Sequence, residues 1–233
     1  MDKRIQVIEH VLKMLSGRLE GFYLAGGTPL SMYYFHHRES YDLDFFTKEF
    51  SQAKAEKIAL ILMDILKVKP KLVEEQNKKD KARYLIYEIQ IDEENLLKID
   101  FVEDVFELLK PLKNVDGIPV LNIEDIYIRK IYAACGVIER IDLTGKEVFK
   151  GGRQEAKDHF DLYFLSTTFM PLSEFAAKYC SQTQIESIVV WFRTYGRLLI
   201  KSGLADIITN KKVDFYEMEH HFKSQIEQLI RKI

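Results

Sequence analysis

Apolar residues near the start of the chain fall at Ile8, Val11, Leu12, Leu15 and Leu19. This is the spacing of one helical face and predicts an amphipathic helix over residues 3–19. The period then shortens to two. Residues 22–25 (FYLA) form a brief apolar run stopped by Gly26-Gly27, and Asp42–Thr47 alternates carboxylates with Leu43 and Phe45, so both stretches predict strands. Ser51 has the short polar side chain that caps a helix over Gln52–Leu66, which Lys69-Pro70 ends. Residues 70–75 and 82–91 read as strands around a polar tip at 76–81. The stretch 96–102 reads as another, with Lys98 and Asp100 on one face and Leu97, Ile99 and Phe101 on the other. A Pro- and Gly-bearing connection over 110–122 contains one last short strand at 117–120. Beyond it the pattern is helical, over about 123–138, 155–166, 172–180, 183–202 and 213–232. The reading is an α+β chain, with a mixed sheet flanked by helices in 1–120 and a helical region in 121–233.

Composition narrows the class. The chain has 233 residues, 47% hydrophobic and 30% charged, with a net charge of −2. That is long enough for a good core, and the charge argues against a generally basic nucleic-acid coat while leaving room for a local patch. Cys135 and Cys180 stand outside any metal-ligand spacing, so a reduced, cytoplasmic setting is expected. The first ten residues lack the apolar core of a signal peptide, and no run reaches the length of a membrane helix, so no membrane partner is expected.

The chemistry gathers between residues 22 and 47. Asp42 and Asp44 are one residue apart on a predicted strand and share a face; carboxylates this close repel, and a bound divalent cation is the usual compensation. Gly26-Gly27-Thr28 stands where a strand gives way to a helix, so glycine backbone and a hydroxyl are available to an anion. If the 96–102 strand is a neighbour, Asp100 joins the same face. Three carboxylates suit one or two Mg2+ ions completed by a triphosphate, as two-metal phosphoryl chemistry needs. Arg38 is suited to a phosphate, Ser40 to phosphate or strand entry, and Lys98 to phosphate or solvent. His36 and His37 read as helix-end residues. Within the apolar stripe of the 123–138 helix lies Lys130, which must be paired or aimed at a ligand anion.

Gly26-Gly27-Thr28, followed by His37-Arg38-Glu39-Ser40-Tyr41-Asp42-Leu43-Asp44-Phe45-Phe46, resembles the nucleotidyltransferase-like AbiEii/AbiGii toxin family of the polymerase-beta-type superfamily. The likeness extends to about Leu165. It implies a nucleotidyltransferase fold and transfer of a nucleoside monophosphate from an NTP, with Mg2+ as cofactor. It also implies an antitoxin-paired toxin, with tRNA or another RNA as acceptor. The family's helical lysine and D-x-x-D-L pattern correspond here to Lys130 and to Asp158-His159-Phe160-Asp161-Leu162. Lys130 would meet the nucleotide phosphates, with Asp158 or Asp161 orienting it or acting as base; a buried structural ion pair is the other account.

An acceptor as large as RNA needs local positive charge. Two groups offer it: Arg193, Arg197 and Lys201, four apart on the predicted 183–202 helix, and Lys146, Lys150, Arg153 and Lys157. Each is also readable as an ordinary solvated face. Two other functions fit the fold, a non-catalytic nucleotide- or protein-binding module and a small-molecule transferase of the antibiotic-modifying kind.

Overall fold

The computed structural model describes residues 2–78, 81–139 and 148–232, with backbone alone at 137–139 and 148–150. The chain forms two compact units, Met1–Asp125 and Ile126–Ile233.

The first unit is built on a mixed sheet. Its elements are α1 (Lys3–Leu15), β1 (Tyr23–Ala25), α2 (Gly27–Pro29, continued by wide π-helical turns over Leu30–Tyr34), β2 (Asp42–Thr47), α3 (Gln52–Leu66), β3 (Lys71–Gln76), β4 (Tyr84–Gln90), β5 (Leu96–Glu103), β6 (Lys113–Val115) and β7 (Ile118–Val120). The seven strands lie in the order β3-β4-β5-β2-β1-β7-β6. β2 with β5 and β1 with β7 are the parallel pairs, and the other neighbours run antiparallel.

Alternation decides what each face does. Leu43 and Phe45 of β2, Leu97, Ile99 and Phe101 of β5, and Leu85, Tyr87 and Ile89 of β4 are buried in one cluster with Ile8, Val11, Leu12 and Leu15 of α1 and Ala55, Ile58 and Leu62 of α3. Each fully buried Leu, Ile or Phe contributes about 1.5–3 kcal/mol, so this layer carries most of the unit's stability. The opposite face is left to Asp42, Asp44, Lys98 and Asp100.

Local signals set the ends. Ser51 accepts from the Lys54 N–H at 3.4 Å to cap α3, which stops where Lys67 turns left-handed at φ +56°, two residues before the expected Lys69-Pro70. The first helix closes at Leu15 rather than residue 19, because Ser16-Gly17 leaves the helical backbone; Leu19 is still buried from the turn beyond. The connection expected over 110–122 contains a second strand, β6, pairing with β7 about a turn at Asp116-Gly117, with φ +50° and +80°.

The second unit comprises the rest of α4 (Ile123–Cys135), the hairpin β8 (Val137–Glu139) and β9 (Val148–Lys150), α5 (Ala156–Phe164), α6 (Leu172–Tyr179), α7 (Gln182–Thr194), α8 (Arg197–Leu204) and α9 (Phe215–Ile230). Its core is aromatic. Tyr127 stacks on Phe175 at 4.0 Å between centroids, and Trp191 meets Phe222 edge-on at 5.3 Å.

The single helix expected over 183–202 is two helices. Tyr195 and Gly196 leave the helical backbone, Tyr195 burying its ring against Trp191 while the Gly196 N–H is taken by the Gln154 carboxamide at 2.9 Å. Burying an aromatic ring outweighs the modest preference of this stretch for unbroken helix. No helix among the described residues is long and apolar enough to cross a membrane.

Candidate active site

In the first unit the parallel register sets Asp44 directly opposite Asp100 and Asp42 opposite Lys98. The four polar side chains therefore occupy one patch of one sheet face. Lys98 Nζ is 2.8 Å from Asp100 Oδ2. The other oxygen, Asp100 Oδ1, is buried without a hydrogen-bond partner.

The electrostatics fit that crowding. Burial, together with the charges of Asp42 and Glu74, raises the Asp100 pKa against the opposing pull of Lys98. Burial also works against the Lys98 ammonium, but the hydrogen bond to Asp100 and the charges of Asp100, Asp42 and Asp44 prevail and raise its pKa.

The turn before α2 is shaped around Asp44. Gly26 has φ +74° and ψ −149°, a conformation nearly confined to glycine, and a Cβ there would lie 1.8 Å from Asp44 Oδ2. At Gly27 a Cβ would lie 2.4 Å from Arg38 Nη2 and 3.4 Å from Ser40 Oγ. Arg38 is mostly buried and donates from Nη1 to the Glu39 carbonyl at 2.9 Å, so its guanidinium is held over the glycine turn.

Thr28 is fully buried. Its Oγ1 lies 3.0 Å from Ser40 Oγ and donates to the Asp42 carbonyl, so the hydroxyl ties the turn to the start of β2 rather than facing outward. Ser40 is engaged in the same tie. His36 at φ +49° ends the π-helical turns, and His37 is buried edge-on to Phe35.

We expect Gly26→Ala to cost about 1–3 kcal/mol in backbone strain and to remove most activity, because Asp44 must also move aside. Gly17→Ala is the control: its φ is +70° but nothing lies within 4 Å of the added Cβ. Activity and melting temperature measured on both separate strain from displacement. Equal activity in the two variants would show that the close packing against Asp44 is irrelevant.

The second unit holds a separate cluster. Asp158 and Asp161 are three apart on α5 and share a face. Lys130 Nζ is 2.8 Å from Asp158 Oδ1 and 2.7 Å from Asp161 Oδ2; both carboxylates are 0% exposed and Lys130 is 8% exposed in its side chain. Arg153 Nη2 adds a contact at 2.9 Å to Asp158 Oδ2. Two cations thus face two anions, as a buried ionic group requires. Arg153 reads from sequence either as a phosphate contact or, more simply, as a solvated basic residue at a helix start. The signal that marks it is the Gly151-Gly152 pair just before it.

His159 points to the other side of α5. Its ring lies 5.1 Å from that of Trp191 and 4.9 Å from that of Tyr195, and Nδ1 is 3.2 Å from the Glu155 carbonyl. A carbonyl only accepts, so Nδ1 carries the proton of the neutral ring. Burial lowers its pKa to about 4. A histidine depressed in the folded state stabilises fully above its unfolded pKa near 6.5, and that contribution fades as pH falls towards 4. From pH 7 to 5 the wild type should lose about 2 kcal/mol more stability than His159→Phe. Denaturant melts at both pH values test this; identical slopes for the two proteins would rule it out.

The basic stripe at Arg193, Arg197 and Lys201 does not form, because the break at Tyr195-Gly196 puts Arg193 and the other two on different helices. Arg197 is tied to Glu219 and to the Phe192 carbonyl, with its guanidinium 4.6 Å from the centre of the Tyr195 ring. Lys201 donates to the Tyr216 hydroxyl at 2.9 Å. In the other group, Lys157 pairs with Glu155 at 3.1 Å. Lys146 lies outside the described residues, as does the side chain of Lys150.

The donor set on the sheet suits a hard cation: three carboxylates on adjacent strands, one with an unpartnered buried oxygen. Among the described residues no three acidic, His or Cys side chains are grouped so that they could hold a metal ion as they stand, and the Lys98 ammonium takes one oxygen of Asp100.

The model of the nucleotidyl transferase AbiEii toxin family, a type IV toxin–antitoxin system, matches residues 11–225, well past Leu165. A Helicobacter pylori structure assigned as a nucleotidyltransferase is 16% identical at a TM-score of 0.61, covering 100% of this chain and 99% of its own. JHP933, also from Helicobacter pylori, is 17% identical at 0.57, covering 98% and 93%. MenT4, a nucleotidyltransferase toxin of Mycobacterium tuberculosis, is 12% identical at 0.52, covering 99% and 90%. At these identities the likeness is one of fold. No curated protein matches the chain significantly.

Proposed function

The chain belongs to the AbiEii family of nucleotidyltransferase toxins, and from that premise we propose that it moves a nucleoside monophosphate from an NTP to an RNA acceptor with Mg2+ bound at the sheet carboxylates. The observation that carries this reading is the Asp44–Asp100 register pair, with Asp42 beside it and Gly26 beneath the Asp44 carboxylate. Membership of a nucleotidyltransferase family sets aside the non-catalytic module.

In this reading Asp42, Asp44 and Asp100 would hold the divalent cation, whose charge would offset that of the phosphates and of the departing pyrophosphate. The backbone of Gly26 and Gly27 leaves room for the triphosphate, and Arg38 lies over the same turn to pair with it. Thr28 and Ser40 act by fixing that turn. Lys98 balances the carboxylates until substrate arrives and then serves the phosphates. Lys130 meets phosphate charge, and Asp158 and Asp161 orient it: both are fully buried and ion-paired, which favours orientation over proton abstraction. The acceptor hydroxyl attacks the α-phosphorus, the bond to pyrophosphate breaks, and the hydroxyl proton leaves to a base or to solvent.

For the acceptor we propose tRNA, which the family resemblance implies, and a cognate antitoxin and a cytoplasmic site of action belong to the same proposal. The dispersal of the Arg193, Arg197, Lys201 stripe favours a second reading, a small-molecule acceptor, which needs no extended positive track. The test is incubation with each α-labelled NTP, Mg2+ and total RNA. Label on RNA supports the first reading; pyrophosphate release with no labelled RNA supports the second. Neither label transfer nor pyrophosphate release with any NTP, across RNA and small-molecule acceptors, would defeat both.

A further inference from the structure

Within the first unit, the sheet face that carries the carboxylates continues past β5 onto β4 and β3. The register sets Asp44, Asp100, Ile86 and Glu74 side by side on four successive strands. One step along, Phe46, Val102 and Tyr84 form a second row. Ile86, Phe46, Val102 and Tyr84 are all half-buried, whereas the residues between them in sequence, such as Phe45, Phe101 and Leu85, lie in the core on the other face. An apolar and aromatic bed thus adjoins the carboxylates directly.

Strand order says which substrate meets it. The glycine turn follows β1 on one side of β2, while β5 and then β4 lie on the other. A triphosphate against Gly26 and Gly27 therefore occupies the β1 flank of the carboxylates. Attacking and departing oxygens stand roughly in line across the phosphorus, so the acceptor approaches from the opposite flank, over β5 and β4. On that flank Asp100 keeps one buried oxygen with no hydrogen-bond partner, directly beside Ile86 and diagonal to Tyr84. Neighbouring strands are about 4.8 Å apart and diagonal residues about 7–8 Å, a span that one nucleoside covers.

Charge and ring chemistry narrow the occupant. Glu88 is flanked in register by Lys98 and Lys71, so opposite charges are matched across the strands. Glu74 accepts a hydrogen bond from the Tyr84 hydroxyl, and its remaining lone pairs suit hydroxyl donors. The bed offers a phosphate no surplus positive charge, but it offers a flat neutral ring an apolar floor. Tyr84 is tethered at both ends, by its backbone in β4 and by its hydroxyl on β3, so its ring loses little freedom on stacking.

We propose that β4 and β5 seat the terminal nucleoside of the RNA acceptor, its base on Tyr84 and Ile86 and its attacking hydroxyl at Asp100. The inference rests on the nucleotidyl-transfer reading and names where the acceptor of that reaction lies. The hydroxyl oxygen bonds to the α-phosphorus, pyrophosphate departs with the electron pair, and the hydroxyl proton passes to a base or to solvent. Such a seat grips a neutral end group and needs no extended basic track.

The test uses the full chain with Mg2+, the NTPs, total RNA and RNA trinucleotides ending in each nucleoside. It reads transfer kinetics, direct binding of trinucleotides and NTPs, and the melting temperature. Tyr84→Ala should raise the RNA KM and weaken trinucleotide binding roughly ten- to a hundredfold, the effect of one stacked base, with NTP affinity unchanged. Tyr84→Phe keeps the ring and should recover most of the loss. Ile86→Thr, a conservative change in a strand, should weaken RNA binding about three- to tenfold and decides the matter if Tyr84→Ala does not fold. Folded variants with wild-type RNA KM and affinity overturn the seat, and transfer that still requires Asp42 then leaves the nucleotidyl-transfer reading standing. A loss confined to NTP affinity also overturns it, because the bed would then hold the donor's base. So does transfer to total RNA when no trinucleotide binds or accepts label, or transfer to small molecules alone. A wild type that neither binds nor transfers any NTP defeats the seat and the underlying reading together.

Discussion

Asp42→Ala and Asp44→Ala are each expected to abolish nucleotidyl transfer, by a thousandfold or more, while the protein stays folded. The rate effect follows from the role: a cation-holding carboxylate supports several kcal/mol of transition-state charge stabilisation, and each 1.36 kcal/mol is tenfold in rate. The stability effect has the opposite sign from an ordinary core change. Both side chains are half-buried on a sheet face that also carries Asp100, and the charge of Asp42 helps raise the Asp100 pKa. Removing a like charge from such a group relieves repulsion, so the melting temperature without Mg2+ should hold or rise slightly. Adding Mg2+ should stabilise the wild type and leave the variants unmoved, because only a folded state that binds the ion gains from it. Transfer persisting in both variants would remove the metal-holding role from this pair.

The carboxylate face was legible in the sequence for a simple reason. A strand has a period of two, so Asp42-Leu43-Asp44-Phe45 and Lys98-Ile99-Asp100-Phe101 each declare which residues share a side. Their adjacency was not contained in either stretch. It depends on β2 and β5 pairing in parallel, a non-local choice that the sequence reading left as a condition and the register in the fold supplies. The α3 boundaries were legible because Ser51 is a local cap and its side-chain bond is made within three residues.

What stayed hidden was decided by partners distant in sequence. Nothing local announces that Gly196 will give its N–H to Gln154, or that Tyr195 will leave a helix to stack on Trp191. The basic stripe failed for that reason: the four-residue spacing was real, but it assumed a helix that tertiary packing interrupts. Thr28 shows the same dependence. Its position at the glycine turn suggests a hydroxyl available to phosphate, and only the fold reveals that it donates to the Asp42 carbonyl and holds the turn against β2. Arg153 reads most simply as solvated because its two restraints, the Ala133 carbonyl and the Asp158 carboxylate, come from different elements.

Lys130→Met is expected to cost about 3–5 kcal/mol of stability, the usual penalty for removing one partner of a buried ionic group. Asp158 and Asp161 are both 0% exposed, and Lys130 is the cation they share. Without it Asp161 loses its 2.7 Å contact, while Asp158 keeps Arg153. For a chain of this length the melting temperature should fall by roughly 10 °C. Activity falls as well, but destabilisation alone could account for that, so a second variant separates the roles. Lys130→Met with Asp161→Leu replaces the Lys130–Asp161 pair by apolar side chains, which should restore most of the stability, as buried ion pairs exchanged for hydrophobic groups commonly do. It should not restore transfer, because no ammonium remains to meet the phosphates. Melting curves and transfer rates on the wild type, the single and the double variant give the answer. A double variant that recovers both stability and transfer would make the cluster a structural ion pair and nothing more, and a single variant as stable as the wild type would mean Lys130 was never the cation compensating these carboxylates.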